Sequence, residues 1–199
     1  MKHLNLGAFT SHRGSNLQAI IDSCKDGRLN ASMNVVISNN SGSQALQRAK
    51  NEGIPAYHLS NRLYPLNADL DRAIIAVLHK HNVELIVLAG YMKELGRDLL
   101  EEYKGSIINI HPSLLPRHGG KGMYGIKVHE AVLQSGDKKT GATVHLVKGE
   151  YDSGRILSQR EIAVRDTDTV ESLAARVLEI EHELYVATLA QISRGEILL

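Results

Sequence analysis

Apolar positions along the chain fall into two rhythms, short runs that suit buried strands and longer stretches spaced as one face of a helix. Residues 4–10 are apolar enough for a strand, and Ser11-His12-Arg13-Gly14-Ser15-Asn16 leads from them into a helix whose apolar residues Leu17, Ile20, Ile21 and Cys24 recur at i, i+3, i+4 and i+7. A strand at 35–38, a helix at about 43–51 stopped by Gly53, and a short strand near 56–59 follow. A helix carrying Leu70, Ile74, Val77 and Leu78 on one face precedes a buried strand at 84–89, a helix around 98–103 and a strand at 106–111. The last third predicts a helix at 126–134, strands at 141–147 and 155–164, and a long helix at about 169–194. This alternation predicts an α/β fold, a Rossmann-like, mostly parallel twisted sheet with right-handed crossovers and helices on both faces. No repeat, linker or low-complexity segment divides it, so residues 1–199 are expected to form a single domain.

Chemistry concentrates at the end of the strand Ile107-Ile108-Asn109-Ile110-His111. Successive strand side chains point to opposite faces, so Asn109 and His111 share one face. Pro112 cannot donate to a ladder and ends the strand, leaving His111 at its carboxyl end, where parallel sheets bind ligands. Alone, the pair reads equally as a hydrogen-bonded polar pair at a strand end. The Gly14-Ser15-Asn16 turn has two readings as well: free N–H groups at a helix start seat a phosphate, while Ser and Asn are also ordinary N-caps. The single glycine of this loop fits neither of the common glycine-rich nucleotide signatures, and Asn39-Asn40 stands where a nicotinamide enzyme carries an acid, which argues against an NAD enzyme. Glu181 falls inside the apolar stripe Leu173, Ala174, Val177, Leu178, Leu184 and Tyr185, so it either pairs with a basic side chain or faces a cleft and holds a ligand. The segment 119–125 holds four glycines in seven residues and is either a lid or a loose connection, and 150–154 on its own is a turn.

Composition narrows the classes further. The 199 residues are 43% apolar and carry 23 basic against 22 acidic side chains, so no overall field attracts nucleic acid and any anion site must be local. A single cysteine excludes an intrachain disulfide and a cysteine-based zinc site, and Cys24 reads as a small core residue. The longest apolar run is too short to span a bilayer and no leader pattern is present, so a cytoplasmic location is expected. The ten histidines show no ligand spacing and most are expected on exposed positions, which argues against a metal.

Gly14-Ser15-Asn16-Leu17-Gln18-Ala19-Ile20, Ala89-Gly90-Tyr91-Met92, Asn109-Ile110-His111-Pro112-Ser113-Leu114-Leu115-Pro116 and Asp152-x-Gly154 together resemble the folate-dependent formyltransferase family over nearly the whole chain. The Gly-Ser-Asn-Leu-Gln-Ala run narrows the resemblance to the branch that acts on glycinamide ribonucleotide, and the length leaves no room for the extra domains of the transfer-RNA formyltransferases or the formyl-folate hydrolases. The resemblance implies transfer of the formyl group of 10-formyltetrahydrofolate, as co-substrate, to the primary amine of glycinamide ribonucleotide in purine biosynthesis. It implies small-molecule substrates without metal, nucleic acid or membrane, and leaves a homodimer open. By the same resemblance Asn109, His111 and Asp152 are catalytic, and Gly14, Ser15, Asn16, Leu178, Glu179, Ile180 and Glu181 bind the ribonucleotide. Met92, Lys93, Glu94, Leu95, Asn109, Lys148, Gly149, Glu150, Tyr151 and Asp152 line the folate site. Asn67 departs from the arginine that many members carry there. His111 is expected to move a proton, Asn109 to donate to an oxyanion, and Asp152 to raise the His111 pKa. The alternatives are a formyl-folate enzyme with another acceptor, water or an amino sugar nucleotide, and a non-catalytic binding protein of the same fold.

Overall fold

A computed structural model describes residues 1–199. In chain order the elements are β1 (Leu4–Thr10), α1 (Ser15–Lys25), β2 (Ala31–Ser38), α2 (Gln44–Asn51), β3 (Ala56–His58), α3 (Asn67–Lys80), β4 (Leu85–Leu88), α4 (Arg97–Glu102), β5 (Ile107–His111), α5 (Ile126–Gln134), β6 (Lys139–Leu146), β7 (Ile156–Ala163) and α6 (Val170–Arg194). The strands form one seven-stranded sheet in the order β3-β2-β1-β4-β5-β6-β7. β1 to β5 run parallel, and β6 and β7 are added antiparallel at one edge.

Alternation along the strands builds two cores. Leu6 and Ala8 of β1, Leu85 and Val87 of β4, and Ile108 and Ile110 of β5 face α1, α2 and α6. Phe9, Ile86, Leu88 and Ile107 face α3 and α4 on the other side. The α1 residues Leu17, Ile20 and Ile21 are all buried, each burial contributing roughly 2 kcal/mol to docking the helix. β2 begins four residues before its continuous apolar run. Over that stretch buried Ala31 and Met33 alternate with half-buried Ser32 and Asn34, a pattern set by pairing with β1.

The topology places the site. After β1 the chain builds β2 and β3 on one side, then crosses through α3 to β4 on the other side of β1, so the strand order reverses between β1 and β4. Loops at the carboxyl ends of strands flanking such a switch point diverge and leave a crevice. α6 closes that crevice from one face. Its start is fixed by a reciprocal cap between Thr169 and Ser172, and the fully buried Tyr185 hydroxyl lies 3.2 and 3.1 Å from the carbonyls of Leu88, at the end of β4, and Ile108, near the start of β5.

Candidate active site

Asn109 and His111 sit at the carboxyl end of β5 on one face, as strand alternation requires. Their neighbour across the antiparallel pair is β6, whose register sets Asn109 opposite His145. The His145 Nδ1–H donates to the Leu146 carbonyl at 2.9 Å, which leaves Nε2 to accept from the Asn109 Nδ2 at 3.2 Å. Asp152 closes the group, with Oδ2 3.5 Å from His111 Nδ1 and Oδ1 3.4 Å from His145 Nε2. Asp152 adopts a φ of 53°, and the Asp152-x-Gly154 spacing has a steric cause, because a Cβ at Gly154 would lie 1.6 Å from the Leu146 carbonyl oxygen.

Burial opposes charge throughout this group, and its neighbours decide the outcome at each residue. The His111 pKa is lowered, chiefly because burial penalises the imidazolium; the Asp152 charge and the bond to the His118 carbonyl raise it but do not prevail. Asp152 acts in the expected direction, and burial outweighs it. Burial pushes the Asp152 carboxyl up, but the rings of His145 and His111 and the N–H of Gly120 outweigh it and hold it below the usual carboxylate range. The His111 Nε2–H donates to the His118 carbonyl at 2.8 Å, and the Gly120 N–H donates to Asp152 Oδ2 at 2.9 Å.

The turn after β1 forms the second part of the site. Neither Ser15 nor Asn16 is the N-cap of α1: Gly14 takes that position in the left-handed region (φ 70°) with no side-chain cap, so the first N–H groups of the helix have no intrahelical partner. A Cβ at Gly14 would meet the Ala45 Cβ at 2.7 Å, so only glycine fits. Asn16 instead turns inward and donates from Nδ2 to Glu181 Oε2 at 2.6 Å, while its own Oδ1 is buried without a partner. Glu181 therefore has an amide partner and not the basic one considered above, and burial pushes its carboxyl up to about 7.

These parts line one cleft of about 590 Å³. Asn16, Met92, Lys93, Glu94, Leu95, Asn109, His111, Gly149, Glu150, Tyr151, Asp152, Leu178 and Glu181 are in its wall, as is the glycine-rich segment from Gly120 to Gly125. Leu88, Leu95, Leu100 and Val147 make an apolar side suited to a flat ring. An adjoining cavity of about 690 Å³ reaches Asn67 and shares Tyr91, Lys93, Glu94, Leu95, Leu100 and Gly149 with it. Gly14, Ser15, Lys148, Glu179 and Ile180 do not line the cleft. Glu179 and Lys148 are exposed, and half-buried Ile180 packs against the core, because residues one and two before Glu181 turn to other faces of α6.

Sequence patterns left His145, His118 and His129 out of the site. His145 alternates as an ordinary strand residue, and only the β5–β6 register reveals it. His111, His129 and His145 are buried, which corrects the expectation of mostly exposed histidines; only His3, His12 and His79 are exposed. His129 on α5 lines the same cleft, and burial lowers its pKa to about 4. Ser11 joins the two halves: its Oγ donates to Asn39 Oδ1 at 2.6 Å and accepts the Met92 N–H at 2.8 Å.

The parallel sheet with its antiparallel edge thus sets an Asn-His-Asp group at the strand ends, beside an uncapped helix start. Residues 4–189 match the formyl transferase family, and the chain belongs to that family. It is 42% identical over 191 residues to the chloroplastic phosphoribosylglycinamide formyltransferase of Vigna unguiculata, covering 94% of this chain and 60% of that protein. To the phosphoribosylglycinamide formyltransferase of Haemophilus influenzae it is 36% identical over 194 residues, covering 98% and 89%. The crystal structure of glycinamide ribonucleotide transformylase 1 from Symbiobacterium toebii superposes with a TM-score of 0.92 at 35% identity, covering 99% of this chain and 91% of that one. The chain spans about three fifths of the length of the Vigna relative. No helix is long and apolar enough to cross a membrane.

Proposed function

We propose that this chain transfers the formyl group of 10-formyltetrahydrofolate to the primary amine of glycinamide ribonucleotide, a step of purine biosynthesis, and that residues 1–199 form one formyltransferase domain. The observation that carries the reading is the convergence of Asn109, His111, Asp152, Asn16 and Glu181 on one cleft, with the uncapped start of α1 next to Asn16. The free N–H groups after Gly14 suit a phosphate, and Glu181 with the unpartnered Asn16 Oδ1 suits sugar hydroxyls. The apolar wall suits the pterin ring, with Met92 to Leu95 and Gly149 to Asp152 around the folate.

The reaction joins the amine nitrogen to the formyl carbon, forms a tetrahedral intermediate, and breaks the bond to the folate nitrogen. His111 starts neutral, because its pKa is lowered, and its Nδ1 is the basic nitrogen, because Nε2–H is bound to the His118 carbonyl. It takes the proton lost by the attacking amine and returns it to the departing folate nitrogen, help worth roughly 10²–10⁴-fold. Asp152, 3.5 Å from Nδ1, stabilises the imidazolium in between. Asn109 gives one amide hydrogen to His145 and keeps the second for the oxyanion, a role worth about 3 kcal/mol. The test is the mass of the ribonucleotide after incubation with formyl folate. A gain of one formyl group, absent with His111→Ala, is expected; an unmodified ribonucleotide with the wild-type protein refutes the proposal.

A further inference from the structure

We propose that Asp137 and His118 are positioning residues: their side chains clamp the segment 118–120 so that its backbone holds His111 and Asp152 in register. The proposal rests on the formyl-transfer reading, in which these two residues move and stabilise a proton. His118 follows the strand exit by seven residues and has a φ of 53°, a left-handed conformation disfavoured for any residue with a Cβ. Something must hold it there, and glycines at 119, 120 and 122 give the next residues no stiffness of their own. The tether is the His118 side chain, whose Nε2 lies 2.7 Å from Asp137 Oδ2, with both side chains largely shielded from solvent. Asp137 is anchored in turn at the α5–β6 turn, and its other oxygen accepts from Arg117 at 2.6 Å.

The tethered segment touches both halves of the proposed proton relay. The His118 carbonyl accepts from His111 Nε2 at 2.8 Å. A carbonyl can only accept, so this bond keeps the His111 proton on Nε2 and turns the Nδ1 lone pair toward Asp152. Two residues on, the Gly120 N–H donates to Asp152 at 2.9 Å. Displacing residue 118 therefore releases the imidazole and the carboxylate together. Asp137 and His118 themselves lie outside the wall of the cleft, so losing them removes no contact to either substrate.

The test is Asp137→Ala. The expected result is a fall of about tenfold in kcat from misplacement of the relay, with KM for both substrates within about twofold. The His111 imidazole, followed by NMR in the ligand-free protein, is expected to titrate at lower pH, because the bond to the His118 carbonyl favours its charged form. The His118 ring, whose charge lowers the His111 pKa, is displaced as well, but that effect is smaller than the lost hydrogen bond, and Asp152, His145, His129 and Glu181 are retained. Asp137→Asn keeps an oxygen for the His118 N–H and is expected to recover kcat to within about threefold, since only the charge of one hydrogen bond is lost. Arg117→Ala removes the other partner of Asp137 and is expected to match wild type. If Asp137→Ala does not fold, His118→Phe breaks the same contact at similar size. Wild-type kcat and an unmoved His111 titration in either variant overturn the clamp, as does a kcat loss with an unmoved titration. An inactive wild-type protein instead overturns the formyl-transfer reading, while the NMR titration still decides the clamp.

Discussion

Replacing Glu181 by glutamine removes a carboxyl that burial has pushed up to about 7 and keeps an oxygen to accept from Asn16 Nδ2. In the unfolded chain that carboxyl returns to 4.5. Each pH unit of difference corresponds to about 1.4 kcal/mol, so the buried carboxylate costs the folded protein about 3 kcal/mol once both states are ionised. The sign follows from proton counting. Below pH 4.5 both states hold the proton and there is no cost. Between 4.5 and about 7 the unfolded chain releases its proton first, so wild-type stability falls as pH rises, and above 7 the full cost applies. Urea unfolding of the ligand-free protein at pH 4.5 and pH 8 measures this directly. Glu181→Gln is expected to match wild type at about pH 4.5 and to gain about 3 kcal/mol at about pH 8, at unchanged m. The same variant should bind the ribonucleotide more weakly, as when a strained functional group is exchanged for stability. An equal gain at both pH values, or none at pH 8, would refute the electrostatic reasoning.

Further expectations attach to the proposed catalytic group and the helix start. His111→Ala should keep its near-UV circular dichroism while kcat falls by roughly 10²–10⁴-fold. Asn109→Ala should lower kcat by about 10²-fold with little change in KM, the signature of a contact made in the transition state. The acid limb of kcat/KM should lie below pH 6.5, because burial lowers the His111 pKa, and Asp152→Asn should move it lower still by removing a charge that favours the imidazolium. Gly14→Ala must place a Cβ 2.7 Å from Ala45 at a positive φ, so it should lose about 1–2 kcal/mol of stability and raise KM for the ribonucleotide alone.

Much of this was legible in the sequence where local pattern and tertiary role agree. The helical stripe Leu17, Ile20, Ile21 is the face buried on the sheet, and the end of β5 at His111 follows from Pro112 alone. Pattern failed where the deciding fact is a pairing. Residues 31–34 join β2 only because β1 lies beside them, and the antiparallel edge places His145 on Asn109 across 36 residues of chain. Glu181 was visible as an anomaly in an apolar stripe, yet its partner Asn16 lies 165 residues away. The charged neighbour of His111 is readable from a motif, whereas the depth of burial that outweighs it is not. Asp137 and His118 carry no spacing signal at all; their contact exists only once α5 and β6 have folded.

Release of deformylated folate from 10-formyltetrahydrofolate, measured with and without glycinamide ribonucleotide, tests the proposed function most directly. Release that depends on the ribonucleotide amine is the expected result. Release at the same rate without it would identify water as the acceptor and contradict the proposed transfer, and no release in either case would contradict formyl-folate chemistry at this site.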